Sequence, residues 1–166
     1  MYGGMAIPQA SGETALNLST HFSLEEFTAS QWAARAGIEN TPGPVELDNL
    51  KRLAATMEAV RYALGCPIII TSGYRCAEVN RHVGGASSSM HVQGLAADFI
   101  APGFGTPFQV CQKLLSVDSV RFDQLIHEYG RWTHLGLAVT GKEPRLQALS
   151  IFTAGRYLPG IVERNP

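Results

Sequence analysis

Ser89-Met90-His91-Val92-Gln93-Gly94-Leu95-Ala96-Ala97-Asp98 places one imidazole and one carboxylate seven residues apart, with a glycine and small residues between them. The pattern is S-x-H-x-x-G-x-A-x-D. Neutral imidazole and carboxylate oxygen are good ligands for a first-row metal, and zinc takes that mixture readily. Ligands on one helix face need a spacing of three or four. A spacing of seven suits a loop that carries His91, turns at Gly94 and enters a strand that carries Asp98. Two ligands hold a metal weakly, and Trp132-Thr133-His134 offers a third imidazole. Three protein ligands and one open position describe a catalytic zinc site. Taken alone, the His91 and Asp98 pair reads equally well as a loop histidine and a strand-capping aspartate. The third imidazole tips the reading toward a metal.

The surroundings of this stretch set the fold class. Before it, Pro67 to Ser72 is a short β-branched run that reads as a buried strand ending at Gly73. Tyr74 to Asn80 follows as a turn or short helix. Val83 to Ser89 is a glycine and serine loop that runs straight into His91, as the rim of a site would. After the stretch, Leu95 to Ala101 is a second strand, stopped by Pro102-Gly103. Thr106-Pro107 opens a helix with Phe108, Cys111, Leu114 and Leu115 facing inward. Phe122 to Glu128 and Trp132 to Val139 read as a hairpin around Tyr129-Gly130-Arg131. Ala148 to Thr153 is one more strand, followed by polar irregular sequence.

Further upstream, Pro44 starts a long amphipathic helix. Leu47, Leu50, Ala54, Met57, Val60 and Leu64 form its apolar stripe, and Gly65 stops it. Ser23 with Glu26 fits a capping box for a short helix, with Phe22 stapled onto Phe27. Residues 1–18 are Gly-, Ala- and Ser-rich and read as a loose arm; residues 19–166 read as one domain. Helices grouped apart from adjacent antiparallel strands give an α+β fold, a small antiparallel sheet with helices packed on one side.

Composition narrows the function classes. The chain has 166 residues, 45% hydrophobic and 16% charged, with a net charge of −1. That balance argues against nucleic acid or an anionic membrane as an electrostatic partner. No apolar run approaches the roughly 20 residues that cross a bilayer. Met1 to Met5 lacks the basic start and apolar core of a secretory signal, so synthesis in the cytoplasm is expected. Cys66, Cys76 and Cys111 read as reduced thiols, with a Cys66–Cys76 disulfide left open.

Strand alternation puts Gln124, Ile126 and Glu128 on one face, and Trp132, His134 and Gly136 on one face of the next strand. If the hairpin aligns these sets, Glu128 lies beside His134 without binding the metal. It is then placed to take a proton from an acidified water and pass it to a leaving amine. A solvated acid at a hairpin end is the alternative. His127 points the other way and reads as a packing or surface histidine. His21 and His82 read as turn, rim or surface residues.

Together these pieces resemble the LAS-type zinc metallopeptidases, the family of zinc D-Ala-D-Ala carboxypeptidases and phage peptidoglycan endopeptidases, whose fold the hedgehog signalling domain shares. The matching pieces, in order, are Ser72-Gly73-Tyr74-Arg75 with Asn80 and Gly84-Gly85, then S-x-H-x-x-G-x-A-x-D, then Phe122 to Glu128, then Trp132-Thr133-His134. The resemblance spans residues 20 to 140. It implies one zinc ion held by His91, Asp98 and His134, with Glu128 as the acid–base group and peptidoglycan stem peptides as substrate. It also implies substrate-facing roles for Arg75, Ser89, Gln124 and Trp132, with Arg75 turned toward a substrate carboxylate. The alternative for Arg75 is a helix-end salt bridge. Two departures stand out. Glu128 lies six residues before the last ligand, as in the hedgehog-like arrangement, while other members place the acid three before, where this chain has Arg131. Trp132 stands where many members carry a histidine thought to steady the transition state. The resemblance implies a monomer acting in the periplasm or at the cell wall, as a phage endolysin or cell-wall hydrolase. A D-Ala-D-Ala carboxypeptidase and a non-catalytic zinc module of the same fold are the alternatives.

Overall fold

Ser23 begins the first helix of the computed structural model, which describes residues 16–163. Its hydroxyl accepts from the Glu26 amide while the Glu26 carboxylate accepts from the Ser23 amide, the reciprocal cap expected of this sequence. The helix, α1 (Leu24–Thr28), is stapled as expected: the Phe22 and Phe27 rings meet edge-on at 5.9 Å. The first fifteen residues of the expected N-terminal arm lie outside the described residues. Just after them, Leu16 accepts from the Leu24 amide and Asn17 bridges Ser23.

The sequence reading had no helix at α2 (Gln31–Ala36), which Ser30 caps through its hydroxyl. Six residues are too few to show a helical period, so only the cap was available as a signal. The long helix α3 (Pro44–Leu64) has Pro44 in its first turn and ends at Gly65. It buries Leu50, Leu53, Ala54, Met57, Val60 and Leu64, close to the expected stripe; Leu47 is only partly covered. The order continues with β1 (Ile69–Ser72), α4 (Ala77–His82), a 3₁₀ turn (Met90–Gln93), β2 (Ala96–Ile100), α5 (Pro107–Leu115), β3 (Gln124–Glu128), β4 (Trp132–Gly136), β5 (Gln147–Thr153) and β6 (Arg156–Pro159).

The six strands form one sheet in the order β1-β2-β4-β3-β5-β6, so the fold is α+β. Three features differ from the sequence reading. First, β1 lies at an edge, with Ile69 half exposed, rather than buried. A β-branched run marks a strand but does not say how many neighbours cover it. Second, β3 pairs with β5 in parallel, so the sheet is antiparallel except at that one junction. Third, the polar stretch after β5 forms β6, antiparallel to β5. On α5, Val110, Cys111 and Leu114 are buried while Leu115 points outward, 48% exposed.

The two faces of the central strands have different jobs. Ala97, Phe99, Leu125, Thr133 and Leu135 are buried in the core. On that side Cys111 of α5 lies 3.6 Å from the Thr133 hydroxyl, and the Phe108 and His127 rings meet at 5.9 Å. His127 is therefore a core residue, its Nδ1 bonded to the Val162 carbonyl at 2.9 Å. The opposite face carries Asp98, Glu128, Trp132 and His134.

Candidate metal centre

β4 lies between β2 and β3, and its register places the key side chains. Asp98 pairs directly with His134, Ile126 pairs with His134 from the other side, and Glu128 pairs with Trp132. Paired residues in a ladder point to the same face. Asp98, His134, Trp132 and Glu128 thus share one face: the hairpin aligns the two sets on which the sequence reading depended, and β2 adds Asp98 to them. Ser72 of β1 pairs with Asp98 and extends the row.

His91 reaches the same point from outside the sheet. It sits in the 3₁₀ turn Met90–Gln93, where the Ser89 hydroxyl accepts from its amide at 3.4 Å. Gly94 ends that turn with φ +68°, and its Cα lies so close to α3 that an added Cβ would sit 2.7 Å from the Glu46 carbonyl. Only glycine satisfies both demands. The turn then aims the ring at the sheet. His91 Nδ1 lies 2.7 Å from the Gly73 carbonyl, which can only accept, so Nδ1 carries the proton. This leaves the lone pair of Nε2 facing inward, the tautomer lock common behind metal-bound histidines.

Three donor atoms converge. His91 Nε2 is 3.3 Å from His134 Nδ1 and 3.3 Å from Asp98 Oδ1, and His134 Nδ1 is 2.8 Å from Asp98 Oδ1. A tetrahedral ion with bonds of about 2.0–2.1 Å separates its ligands by about 3.3–3.4 Å. Two of the three separations already match; the third is a hydrogen bond that a cation would replace. All three residues are buried. The donor set, spacing and tautomer fit a divalent metal, and of the described residues no other His, Cys, Asp or Glu group gathers this way.

The charges agree with this. Burial alone would push the Asp98 carboxyl up, but the His91 and His134 imidazoles outweigh it and hold the group well below its ordinary range. Burial keeps the His91 imidazole below its usual value, hence neutral. For His134 burial is overcome by the hydrogen bond and charge of Asp98, so its proton is held more tightly than usual.

A second layer surrounds the donors. Arg75 Nη2 bonds Asp98 Oδ2 at 2.8 Å and Arg75 Nε bonds the Ser72 hydroxyl at 2.9 Å. Arg75 thus fixes the carboxylate from behind, a job that spacing did not reveal, because Ser72, Arg75 and Asp98 come together only through the β1–β2 register. Glu128 is half-buried and its Oε2 accepts from the Trp132 indole at 2.9 Å. Burial raises its carboxyl above the ordinary value, and the Asp98 charge adds to this against the pull of His134 and the Trp132 bond. The sequence offered Trp132 as substrate-facing; the structure shows that it grips Glu128. Gln124 bonds Gln147 across the β3–β5 junction at 2.7 Å.

Among the described residues the remaining expected histidines lie elsewhere. His21 pairs with Glu58 at 2.8 Å, and His82 stacks on Trp32 with ring centroids 4.0 Å apart. All three cysteines are free thiols, and burial pushes the Cys111 thiol up to about 12, which makes it inert. No described helix is long and apolar enough to cross a membrane.

A family model described as Peptidase M15 matches residues 20–136, a span that holds His91, Asp98, Glu128 and His134. No curated protein matches the chain.

Proposed function

The chain belongs to the peptidase M15 family, whose members are metal-dependent peptidases, and from that premise we propose that it is a zinc peptidase that cuts peptidoglycan stem peptides in the periplasm or at the cell wall. Bound to His91, Asp98 and His134, zinc supplies Lewis-acid polarisation of the scissile carbonyl and acidifies water. Everything else falls to the chain's own side chains. Glu128 accepts the proton of the attacking water and delivers it to the leaving amine. Its affinity for protons, raised above the ordinary carboxylate value by burial, suits a group that must both take a proton and give it back. Trp132 holds Oε2, which leaves the other carboxylate oxygen to meet the proton. Arg75 holds Asp98 in its orientation.

The observation that carries this reading is Glu128 itself, a half-buried carboxylate on the sheet face that carries Asp98 and His134 and that His91 joins from its turn. A structural zinc site takes four protein ligands and has no use for a free acid beside it. That argues against a non-catalytic module.

Between the two peptidase readings, Arg75 favours an endopeptidase of the endolysin or cell-wall hydrolase type. A D-Ala-D-Ala carboxypeptidase would need the Arg75 fork for a terminal carboxylate, and two of its nitrogens already serve Asp98 and Ser72. The test is digestion of purified peptidoglycan by the zinc-loaded protein, followed by mass spectrometry of the muropeptides. Cleavage within the stem or cross-bridge supports the endopeptidase, and loss of single terminal D-alanines supports the carboxypeptidase. Zinc binding without any released fragment overturns the peptidase reading.

A further inference from the structure

The turn that joins β3 to β4 builds a second feature beside Glu128. Tyr129 and Gly130 both have positive φ, 54° and 69°. The turn is closed by the Arg131 amide donating to the Glu128 carbonyl at 2.9 Å. A non-glycine residue in this conformation is uncommon, and such strain is kept where geometry matters. Here it brings the Tyr129 ring against Trp132, centroids 5.5 Å apart. Tyr129, Arg131, Trp132 and Phe152 line a cleft of about 360 Å³. Its Trp132 wall is the same side chain that grips Glu128. Phe152 comes from β5, which lies beyond the residues that the family model matches.

Arg131 is exposed and takes part in none of the ion pairs among the described residues. A guanidinium among aromatic walls suits a carboxylate carried on a flexible peptide. Glu128 gives its proton to the leaving amine, so the cleft next to it lies on the leaving side of the bond. Its volume is far larger than a single alanine needs and falls in the range of built ligand sites.

We propose that this cleft binds the leaving segment of the substrate, a peptide of at least two residues, and that Arg131 reads a free carboxylate on it. The inference rests on the peptidase reading above. It gives the enzyme a carboxylate-selecting arginine distinct from Arg75, built in part from this chain's own β5.

The test measures binding and cleavage separately. In zinc-loaded Glu128→Gln protein, which holds substrate without turning it over, calorimetry compares a disaccharide-tetrapeptide muropeptide with the same molecule carrying amidated carboxylates. The free acid binds about tenfold more tightly, the size of one charge-assisted hydrogen bond. Adding Arg131→Gln brings the two ligands level, and Arg131→Lys restores part of the preference. Equal binding with Arg131 present, or a preference that survives Arg131→Gln, overturns the site. The unsubstituted enzyme is assayed on cross-linked peptidoglycan alongside. Cleavage with an Arg131-independent preference sinks the cleft but not the peptidase. An Arg131-dependent preference without any cleavage keeps the carboxylate site and sinks the peptidase.

Discussion

Asp98 and His134 are direct cross-strand partners on β2 and β4, with Oδ1 and Nδ1 2.8 Å apart. Two of the three donors are therefore fixed by the ladder of the sheet itself, and only His91 depends on a loop. That loop is tied down twice, by the His91–Gly73 bond at 2.7 Å and by the close approach of Gly94 to α3. A site assembled this way is shaped before its metal arrives.

The Asp98–His134 pair makes metal binding depend on pH. Without metal, His134 holds its proton above the ordinary 6.5 because Asp98 bonds it. That pairing stabilises the fold fully below 6.5 and fades as pH rises through the higher folded value. Asp98 contributes in the opposite sense: its stabilisation is present above its ordinary 3.8 and fades as pH falls below it. A metal must displace the His134 proton, so zinc should bind up to about tenfold more tightly at pH 7.5 than at pH 6.5, with proton release. Calorimetry in two buffers of different ionisation enthalpy checks this. Affinity that does not change over that range would remove the proton from the site.

Arg75→Ala should weaken zinc about 10–100-fold, the usual cost of losing a residue that orients a ligand. Its bond to Asp98 Oδ2 would be gone while all three donors stay. Metal retention against a graded chelator reads this directly. A variant that keeps zinc fully but loses affinity for peptide would give Arg75 the substrate role that the family resemblance implies.

The ligand triad was legible because its chemistry is local and its spacing is odd. His91 and Asp98 announce themselves within ten residues, and His134 follows from strand alternation in a hairpin whose turn is marked by Gly130. The shared face of Glu128 and Trp132 was conditional on the hairpin aligning the two strands, and their direct pairing is seen only in the ladder. What stayed hidden depends on contacts between distant segments. Nothing in the run Ile69 to Ser72 says that it forms an edge, and nothing in Arg156 to Pro159 announces a strand, because β6 is held by its pairing with β5 rather than by an apolar pattern. The parallel β3–β5 junction is equally invisible to periodicity. Arg75 was legible as a residue but not as the partner of Asp98, since that needs the β1–β2 register.

Gly94→Ala should destabilise the protein by about 2 kcal/mol or more, roughly 4–8 °C in Tm. The left-handed backbone accounts for part, and the clash of the new Cβ with the Glu46 carbonyl, 2.7 Å away, for the rest. Gly84→Ala is the control. It has φ +74° but open space around its Cα, so it should lose only the backbone share, about 1 kcal/mol. Thermal melts of the two variants separate the contributions. Equal losses would mean that α3 yields freely at Glu46.

Trp132→Phe tests whether the grip on Glu128 sets its proton affinity. The indole N–H bonds the ionised Oε2 at 2.9 Å and so favours the carboxylate, while burial pushes the other way. Phenylalanine keeps an aromatic ring but removes the donor, leaving burial unopposed by that bond. The Glu128 carboxyl should rise further above its ordinary 4.5. Activity needs Glu128 ionised to accept a proton, so the acid limb of the kcat/KM profile should move to higher pH while the maximal rate changes less. Glu128→Gln should remove the limb altogether and cost about 10²–10⁴-fold in rate, with zinc retained. A limb that stays in place in Trp132→Phe would show that the group titrating there is not Glu128, and the acid–base role would pass to another residue.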